Sequence, residues 1–473
     1  MIKFEKLGVK KEILRGIQDI GFTEPMPIQE KVIPALLNES QDLIGLAQTG
    51  TGKTAAFGIP ILQLVDPTLK KTQALVLSPT RELCLQITKD LRSYSKYLPD
   101  INIVPIYGGA DINRQIRALN RGAHIIVATP GRMNDLLNRR KKIDLNYLNR
   151  LVLDEADEML NMGFKEELDA IIEQTSEKKK TLLFSATMPR DVLKISKNYM
   201  HKPLEITVGN KNEGTDKVTH ICYRIKERDR YAAIKRLVDY HPEIYGIVFC
   251  RTRIETKKIA EYLIKDGYNA EALHGDLSQS QRDFVMNKFR IKNLQLLVAT
   301  DVAARGLDID DLTHVLNYNL PDEPIIYTHR SGRTGRAGKK GFSVVLINMR
   351  ERKKLNLIEK KINKTFEIRT IPSGKDICRN QLLDLVDRMQ KIEIDHKEID
   401  EFLPEIYEKL EWLDRKELIK RFVSLEFNRF LDYYKDASDL KKPTEKDTHA
   451  KKRDKRSRRN RDPRKAEPGF TRY

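Results

Sequence analysis

A chain of 473 residues with 40% hydrophobic and 33% charged side chains can build a large core, and at roughly 150 residues per domain it divides into about three units. Its 87 Lys and Arg against 68 Asp and Glu give a net charge of +19, the balance of a protein that meets a polyanion, nucleic acid before an anionic membrane surface. No apolar run approaches the ~20 residues of a membrane span, the start Met1–Lys6 shows no signal-peptide core, and the dispersed Cys84, Cys222, Cys250 and Cys378 form neither a zinc nor a disulfide pattern, so a cytoplasmic location with no membrane partner is expected.

Short apolar runs then alternate with amphipathic stretches: Ala74–Leu77, Ile103–Ile106, Ile125–Ala128, Leu151–Leu153 and Leu182–Phe184, followed by Ile247–Cys250, Leu296–Ala299, Val315-Leu316 and Ser343–Ile347. This pattern predicts βα units with buried parallel strands. After the apolar Leu43-Ile44 comes Ala47-Gln48-Thr49-Gly50-Thr51-Gly52-Lys53-Thr54, a phosphate loop with Ala47 in place of the first glycine. Its glycines let backbone N–H groups wrap phosphates, Lys53 reaches the β and γ oxygens, and Thr54 can ligate Mg²⁺ at a helix start. Leu151–Asp157 places Asp154 and Glu155 at the C-terminal end of a strand, where ligands bind in parallel sheets. There Asp154 suits the Mg²⁺ shell and Glu155 an attacking water. Ser185 and Thr187 follow the next apolar run, and alone they fit helix caps or turn formers equally well.

The polar, glycine-flanked segment around Gly209–Asp216 predicts a linker, so the chain divides into a first α/β domain at 1–207 that carries the phosphate loop, a linker at 208–217 and a second α/β domain at 218–372. In the second domain, His329-Arg330-Ser331-Gly332-Arg333-Thr334-Gly335-Arg336 sets three arginines three residues apart, a spacing suited to a polyphosphate approached from the opposite side. The periodicity of Phe402, Ile406, Tyr407, Leu410, Leu418, Phe422 and Leu425 predicts a helical extension at 373–437. A tail at 438–473 has no apolar periodicity and is expected to be disordered in isolation; from Lys441 on it carries fourteen Lys and Arg against five Asp and Glu, a net charge of +9.

Asp154-Glu155-Ala156-Asp157, with the phosphate loop, Ser185-Ala186-Thr187 and His329–Arg336 in this order, resembles the DEAD-box ATP-dependent RNA helicases, and the resemblance runs from about Phe4 to Ile371. It implies two tandem RecA-like parallel-sheet domains that use ATP and Mg²⁺ to separate short RNA duplexes or remodel RNA–protein complexes. Gly21–Gln29 looks like the family's adenine-recognition segment, with Phe22 stacking and Gln29 matching the adenine edge. Lys53, Asp154, Glu155, Arg333 and Arg336 would carry catalysis, with Asp308 near the ribose. The implied RNA contacts are Thr80, Arg81, Gly109, Thr129 and Arg132 in the first domain and Arg251, Thr252, Arg282 and Thr300 in the second, groups that suit phosphate oxygens rather than base edges. Asp157, Ser185, Thr187, Asp301, Arg305, His329 and Arg330 look like the set coupling the two domains.

Three other functions stay open on sequence: a non-hydrolysing RNA clamp, which the intact catalytic set opposes, a DNA helicase, and an ATP-independent RNA chaperone acting through the tail. The 373–437 region is similar to extensions of bacterial cold-shock and ribosome-assembly members of the family, which points to ribosomal or RNA-decay complexes as partners. No further RNA-recognition domain is expected after Tyr434. Helices packed on the second domain and a homodimer through this region are both compatible with the sequence.

Overall fold

The computed structural model describes residues 3–38, 41–48, 50–208, 217–304, 312–335, 339–392, 400, 402–435 and 440, without the side chains of 426–432 and 435. Thr49, Arg305, Asp308, Arg336, the linker apart from its two ends, and the tail apart from Leu440 lie outside the described residues.

The described residues form fourteen strands, the short apolar runs among them. Strands β1 (Leu43–Leu46), β2 (Ala74–Leu77), β3 (Ile103–Ile106), β4 (Ile125–Ala128), β5 (Arg150–Leu153), β6 (Lys180–Ser185) and β7 (Leu204–Thr207) form one sheet in the order β3-β4-β2-β5-β6-β1-β7. A second sheet, of β8 (Val218–Arg224), β9 (Gly246–Cys250), β10 (Ala270–Leu273), β11 (Leu296–Thr300), β12 (His314–Asn317), β13 (Gly341–Ile347) and β14 (Glu367–Arg369), runs β10-β11-β9-β12-β13-β8-β14. Neighbouring strands are parallel, as in β1 with β6 and β12 with β13.

Runs without polar alternation arise because helices cover both faces. Leu43, Val76, Ile125, Val152 and Phe184 pack into the core on one face of the first sheet. Their strand neighbours Ile44, Leu77, Ile126, Leu153 and Leu183 pack into the core on the other. The two RecA-like units therefore present all their strand ends along one edge each. That edge carries Ala47, Thr80, Gly109, Thr129 and Asp154 in the first unit and Arg251 and Asp301 in the second.

Past β14 the Ser373–Asp376 capping box starts a helix at Gly374–Lys391, and helices Leu403–Leu410 and Arg415–Lys435 come after it. The extension docks on the second domain through Gln381, which donates to Asp239 O at 2.5 Å, and through the Tyr434 hydroxyl, which bonds the Asp239 carboxylate. Its apolar period is not matched by burial: Phe402, Tyr407, Trp412 and Leu425 are all more than half exposed. No helix among the described residues is long and apolar enough to cross a membrane.

Candidate functional site

The phosphate loop lies between β1 and the helix Lys53–Leu64, whose first residue is Lys53. Gly52 takes φ 81°, and a Cβ there would sit 2.3 Å from the Gln29 amide nitrogen, so only glycine fits. That amide is the loop's brace: Nε2 donates to Gly52 O at 3.1 Å, and Oε1 accepts from Met26 N–H at 2.8 Å. Each end of the amide keeps one hydrogen-bonding valence for another partner. Thr51 Oγ1 donates to Gln48 O, and the buried Lys53 Nζ donates to Ala47 O at 2.9 Å.

Above the loop opens a cavity of about 590 Å³, lined by Phe22, Gln29, Gly50, Gly52, Lys53 and Thr54 together with Asp154, Glu155 and Arg333. Arg333 comes from the second domain, so the cavity is closed by both. Phe22 is braced against Phe4 and Tyr94 with ring centroids 6.3 and 6.0 Å away. Burial pushes the Asp154 carboxyl up to about 7, although Lys53 pulls it down. A buried carboxylate in this condition suits a hard cation, and Thr54 supplies a second oxygen donor on the same cavity. Glu155 stands at φ 51°, a left-handed conformation that a side chain adopts only under constraint, and its buried Oε2 has no hydrogen-bond partner.

The other acid of this motif, Asp157, does not line the cavity. Asp157 Oδ2 accepts from Thr187 N–H at 3.1 Å and from Thr187 Oγ1 at 2.6 Å, while Ser185 Oγ donates to Thr187 O at 2.6 Å. Ser185 and Thr187 thus bind the acidic motif instead of only capping a turn. Across the domain boundary His329 Nε2 lies 3.6 Å from Asp157 Oδ2, and His329 Nδ1 pairs with Glu158. Burial opposes charge on all these groups, yet Asp157 and Glu158 hold His329 up at about 10, and His329 with Thr187 holds Asp157 down at about 2. Glu158 is a partner that the sequence reading missed.

Arg330 corrects the reading of three arginines aimed at a polyphosphate. It is 2% exposed and forks onto Asp301 (Nε–Oδ1 2.5 Å, Nη2–Oδ2 2.7 Å), with Nη1 donating to Asn317 Oδ1 and Asn319 O. Arg330 thus ties its helix, Pro324–Ser331, to Asp301 and to the end of β12 inside the second domain.

The residues expected to contact RNA gather on the strand-end edges. Thr80 caps the helix Arg81–Tyr94, accepting from Leu83 N–H, and Thr252 caps Arg253–Lys265 in the same way from Glu255 N–H. Arg81 lies over the Tyr107 ring at 4.9 Å beside the left-handed Gly109, and Arg132 donates to Ala110 O at 3.3 Å. Thr129 precedes the helix that contains Arg132, and Thr300 Oγ1 accepts from Ala303 N–H. Arg251 is held by Leu320 O at 3.3 Å and by Asp322 at 3.7 Å. The edges meet across the cleft: Arg81 pairs with Asp283 at 3.0 Å, and Arg282 with Glu82 at 3.7 Å. Those two acids were not anticipated; each adjoins an arginine that was, and sequence adjacency was their one signal.

Comparison with known proteins agrees with this geometry. Residues 26–195 match the DEAD/DEAH box helicase family, 229–338 the helicase conserved C-terminal domain, and 377–435 a helical domain described as that of a probable ATP-dependent RNA helicase. The ATP-dependent RNA helicase CshA of Listeria monocytogenes is 41% identical over 391 residues, 83% of this chain and 75% of that one. Among solved structures, S. cerevisiae Dbp5 bound to RNA and ADP BeF3 superposes with TM-score 0.71 at 31% identity, over 82% of this chain and 98% of that one. Mss116p bound to ssRNA and AMP-PNP also gives 0.71, at 28% identity over 96% and 94%. With a phosphate loop, an acidic strand end and an arginine from the facing domain around one cavity, and relatives this similar over most of its length, the chain belongs to the DEAD-box ATP-dependent RNA helicases.

Proposed function

We propose that ATP acts as the removable bolt of a two-domain RNA clamp. The observation that carries this reading is that Arg333 lines the same cavity as Lys53, Asp154 and Glu155. Lys53 leaves the Ala47 carbonyl to meet the β and γ phosphates, Gln29 and Phe22 hold the adenine, and the ribose is assigned to Asp308 from the family resemblance alone. Thr54 and Asp154 are the residues that would hold Mg²⁺, which supplies charge neutralisation on the phosphate oxygens. Glu155, with its unpartnered oxygen, orients and deprotonates the attacking water. Arg333 and Arg336 stabilise the charge that develops on the transferred phosphoryl, a contribution of roughly 10³–10⁵ in rate.

Closure brings Thr80, Arg81, Gly109, Thr129 and Arg132 opposite Arg251, Thr252, Arg282 and Thr300 along one RNA backbone. A strand bent in that channel loses stacking worth about 1.4 kcal/mol per step, taking the DNA value, so a short duplex separates without translocation. Contacts to phosphates and a charge of +19 suit RNA bound without regard to sequence. Cytoplasmic ribosomal particles and RNA-decay complexes are the assemblies we assign from the helical extension, which matches a helical domain of RNA helicases. The exposed Phe402, Tyr407, Trp412 and Leu425 support a homodimer through the helical extension.

RNA-stimulated ATPase assays test the roles. Glu155→Gln is expected to keep ATP affinity and lower turnover by about 10²–10⁴, trapping a closed complex with RNA. Lys53→Ala is expected to lose ATP affinity first. Equal loss of affinity in both would overturn the division of labour between base and phosphate ligand.

A further inference from the structure

The RNA edge of the first domain does not end at Gly109. Strand β3 is the outermost of its sheet, and beside it runs a groove of about 720 Å³ that starts at Tyr107 and Ala110, next to Arg81 and Gly109. From there it tracks the helix Ile112–Asn120 down the strand. Its walls carry Arg92, Arg114, Arg117 and Arg121, all exposed, against one carboxylate among the described residues. That carboxylate, Asp111, is engaged in capping the helix, accepting from Asn113 N–H at 2.9 Å.

Two features show that the groove is held in shape. Gln115, only 6% exposed, clamps Tyr107 from both sides, donating to its carbonyl at 2.9 Å and accepting from its N–H at 3.3 Å. Arg92 Nη2 donates to Ile103 O at 2.8 Å, and Pro105 has no N–H, so the strand edge is already protected from pairing. Arg114, Arg117 and Arg121 are not needed for that protection. Among the described residues they form no ion pair and no side-chain hydrogen bond. Their spacing of three and then four residues puts them on one helix face. Seven residues of helix rise about 10.5 Å, which matches three steps of a stacked strand at about 3.4 Å each.

We propose that this groove is a second RNA-binding site, which takes the phosphate backbone of the segment leaving the cleft past Gly109. The proposal rests on the reading of Arg81 and Gly109 as RNA contacts. Each guanidinium meets phosphate oxygens through a two-pronged fork, and no base edge is read. The site gives the enzyme a grip on flanking RNA that ATP hydrolysis does not release, because none of its residues belongs to the nucleotide cavity.

The test is the full chain with Arg114→Ala, Arg117→Ala and Arg121→Ala combined, bound with a non-hydrolysable ATP analogue to oligouridylates of increasing length and to a hairpin with a single-stranded tail. Oligonucleotides that fill only the cleft are expected to bind both proteins equally and to stimulate equal ATPase, which also reports an intact fold. With longer RNAs the wild type is expected to show a salt slope steeper by about two units, at about 0.7 per phosphate, so that between about 50 and 200 mM salt it loses about 20-fold more affinity than the variant. A loss confined to the hairpin assigns the groove to duplex backbone, and a loss with every long RNA assigns it to single strand; both support the site. Parallel salt slopes overturn it, as does normal binding of every RNA with loss of an acidic protein partner. If the triple variant also weakens the shortest oligonucleotide, the Arg→Lys triple decides: recovery of the length-dependent slope supports a charge site, and no recovery overturns it. Arg81→Ala serves as the separate control, since intact short-RNA binding there would refute the cleft reading whatever the groove does.

Discussion

The two sheets have the same strand order, β3-β4-β2-β5-β6-β1-β7 and β10-β11-β9-β12-β13-β8-β14, each strand of the second standing where the one seven earlier stands in the first. The segments attached to corresponding strand ends differ. After β1 the chain makes a glycine loop, and the first residue of the next helix is Lys53, facing a cavity. After β8 the next α-helix begins with Arg230, which fills the space instead. It bonds Glu227 at 2.8 Å, Glu351 at 2.5 Å, Leu346 O at 3.0 Å and the Tyr318 carbonyl. At the end of β5 stand Asp154 and Glu155, whereas β12 ends at Asn317, whose side chain is tied to Val344 O and Arg330. The RNA edges, by contrast, are repeated: Thr80 and Thr252 cap the helices after β2 and β9, and Thr129 and Thr300 end corresponding turns of chain. On the proposed reading, one fold therefore carries a nucleotide site once and an edge for the RNA backbone twice. A clamp of this kind needs one bolt and two jaws.

The largest test of the comparison removes the plug. Arg230→Ala leaves the part-buried Glu351 and two carbonyls without their partner, a change expected to cost about 3–5 kcal/mol. Urea unfolding is expected to report that loss, with ATP affinity of the folded protein unchanged. Lys53→Ala is expected to do the reverse, since water reaches the cavity and replaces one hydrogen bond. Loss of ATP affinity in Arg230→Ala at undiminished stability would mean that the second domain also binds nucleotide phosphate.

The bolt's coupling to the second jaw is expected to depend on pH. His329 is raised from 6.5 to about 10 when it sits between Asp157 and Glu158, so its contribution to closure is full below 6.5 and is lost as pH rises through about 10. Asp157 is lowered from 3.8 to about 2, so its share is present above 3.8 and is lost only as pH falls through about 2. Closure measured by interdomain fluorescence transfer is therefore expected to be greatest between about 4 and 6.5 and to weaken steadily above. His329→Gln should flatten the alkaline limb and reduce closure at pH 6 by about 10–100-fold, the value of one charged hydrogen bond at about 1.5–3 kcal/mol. An unchanged profile in that variant would remove His329 from the coupling.

The asymmetric half of the molecule was the easier to read in the sequence. A phosphate loop and an acidic strand end are contiguous, so Lys53, Thr54, Asp154 and Glu155 are visible with no knowledge of what packs where. The parallel strands were legible for the same reason, since burial on both faces removes the polar alternation. Arg330 was not, because its spacing from Arg333 is the same as that of Arg333 from Arg336, and only the fork onto Asp301 separates a buried brace from a cleft arginine. The Arg230 plug joins residues 121 positions apart and left no local trace. The helical extension was visible as periodicity, but period alone says which residues share a face and not what covers it.

The smallest effect tests whether the two jaws are equivalent. Thr80 Oγ1 accepts from Leu83 N–H at 3.2 Å, and Thr252 Oγ1 accepts from Glu255 N–H at the same distance. Valine keeps the branched shape and removes the hydroxyl, acceptor and donor alike, so Thr80→Val and Thr252→Val should each cost about 1 kcal/mol of stability for the lost cap. Because each cap holds the start of a helix on the RNA edge, and each hydroxyl can still donate to a phosphate, both variants should also bind single-stranded RNA a few-fold more weakly, at about 1 kcal/mol for one neutral hydrogen bond. Catalysis at saturating RNA should stay intact, since neither residue lines the nucleotide cavity. A stability loss in both with a binding loss in only Thr80→Val would leave the fold repeated and the grip not. The second domain would then close over an RNA that the first alone holds.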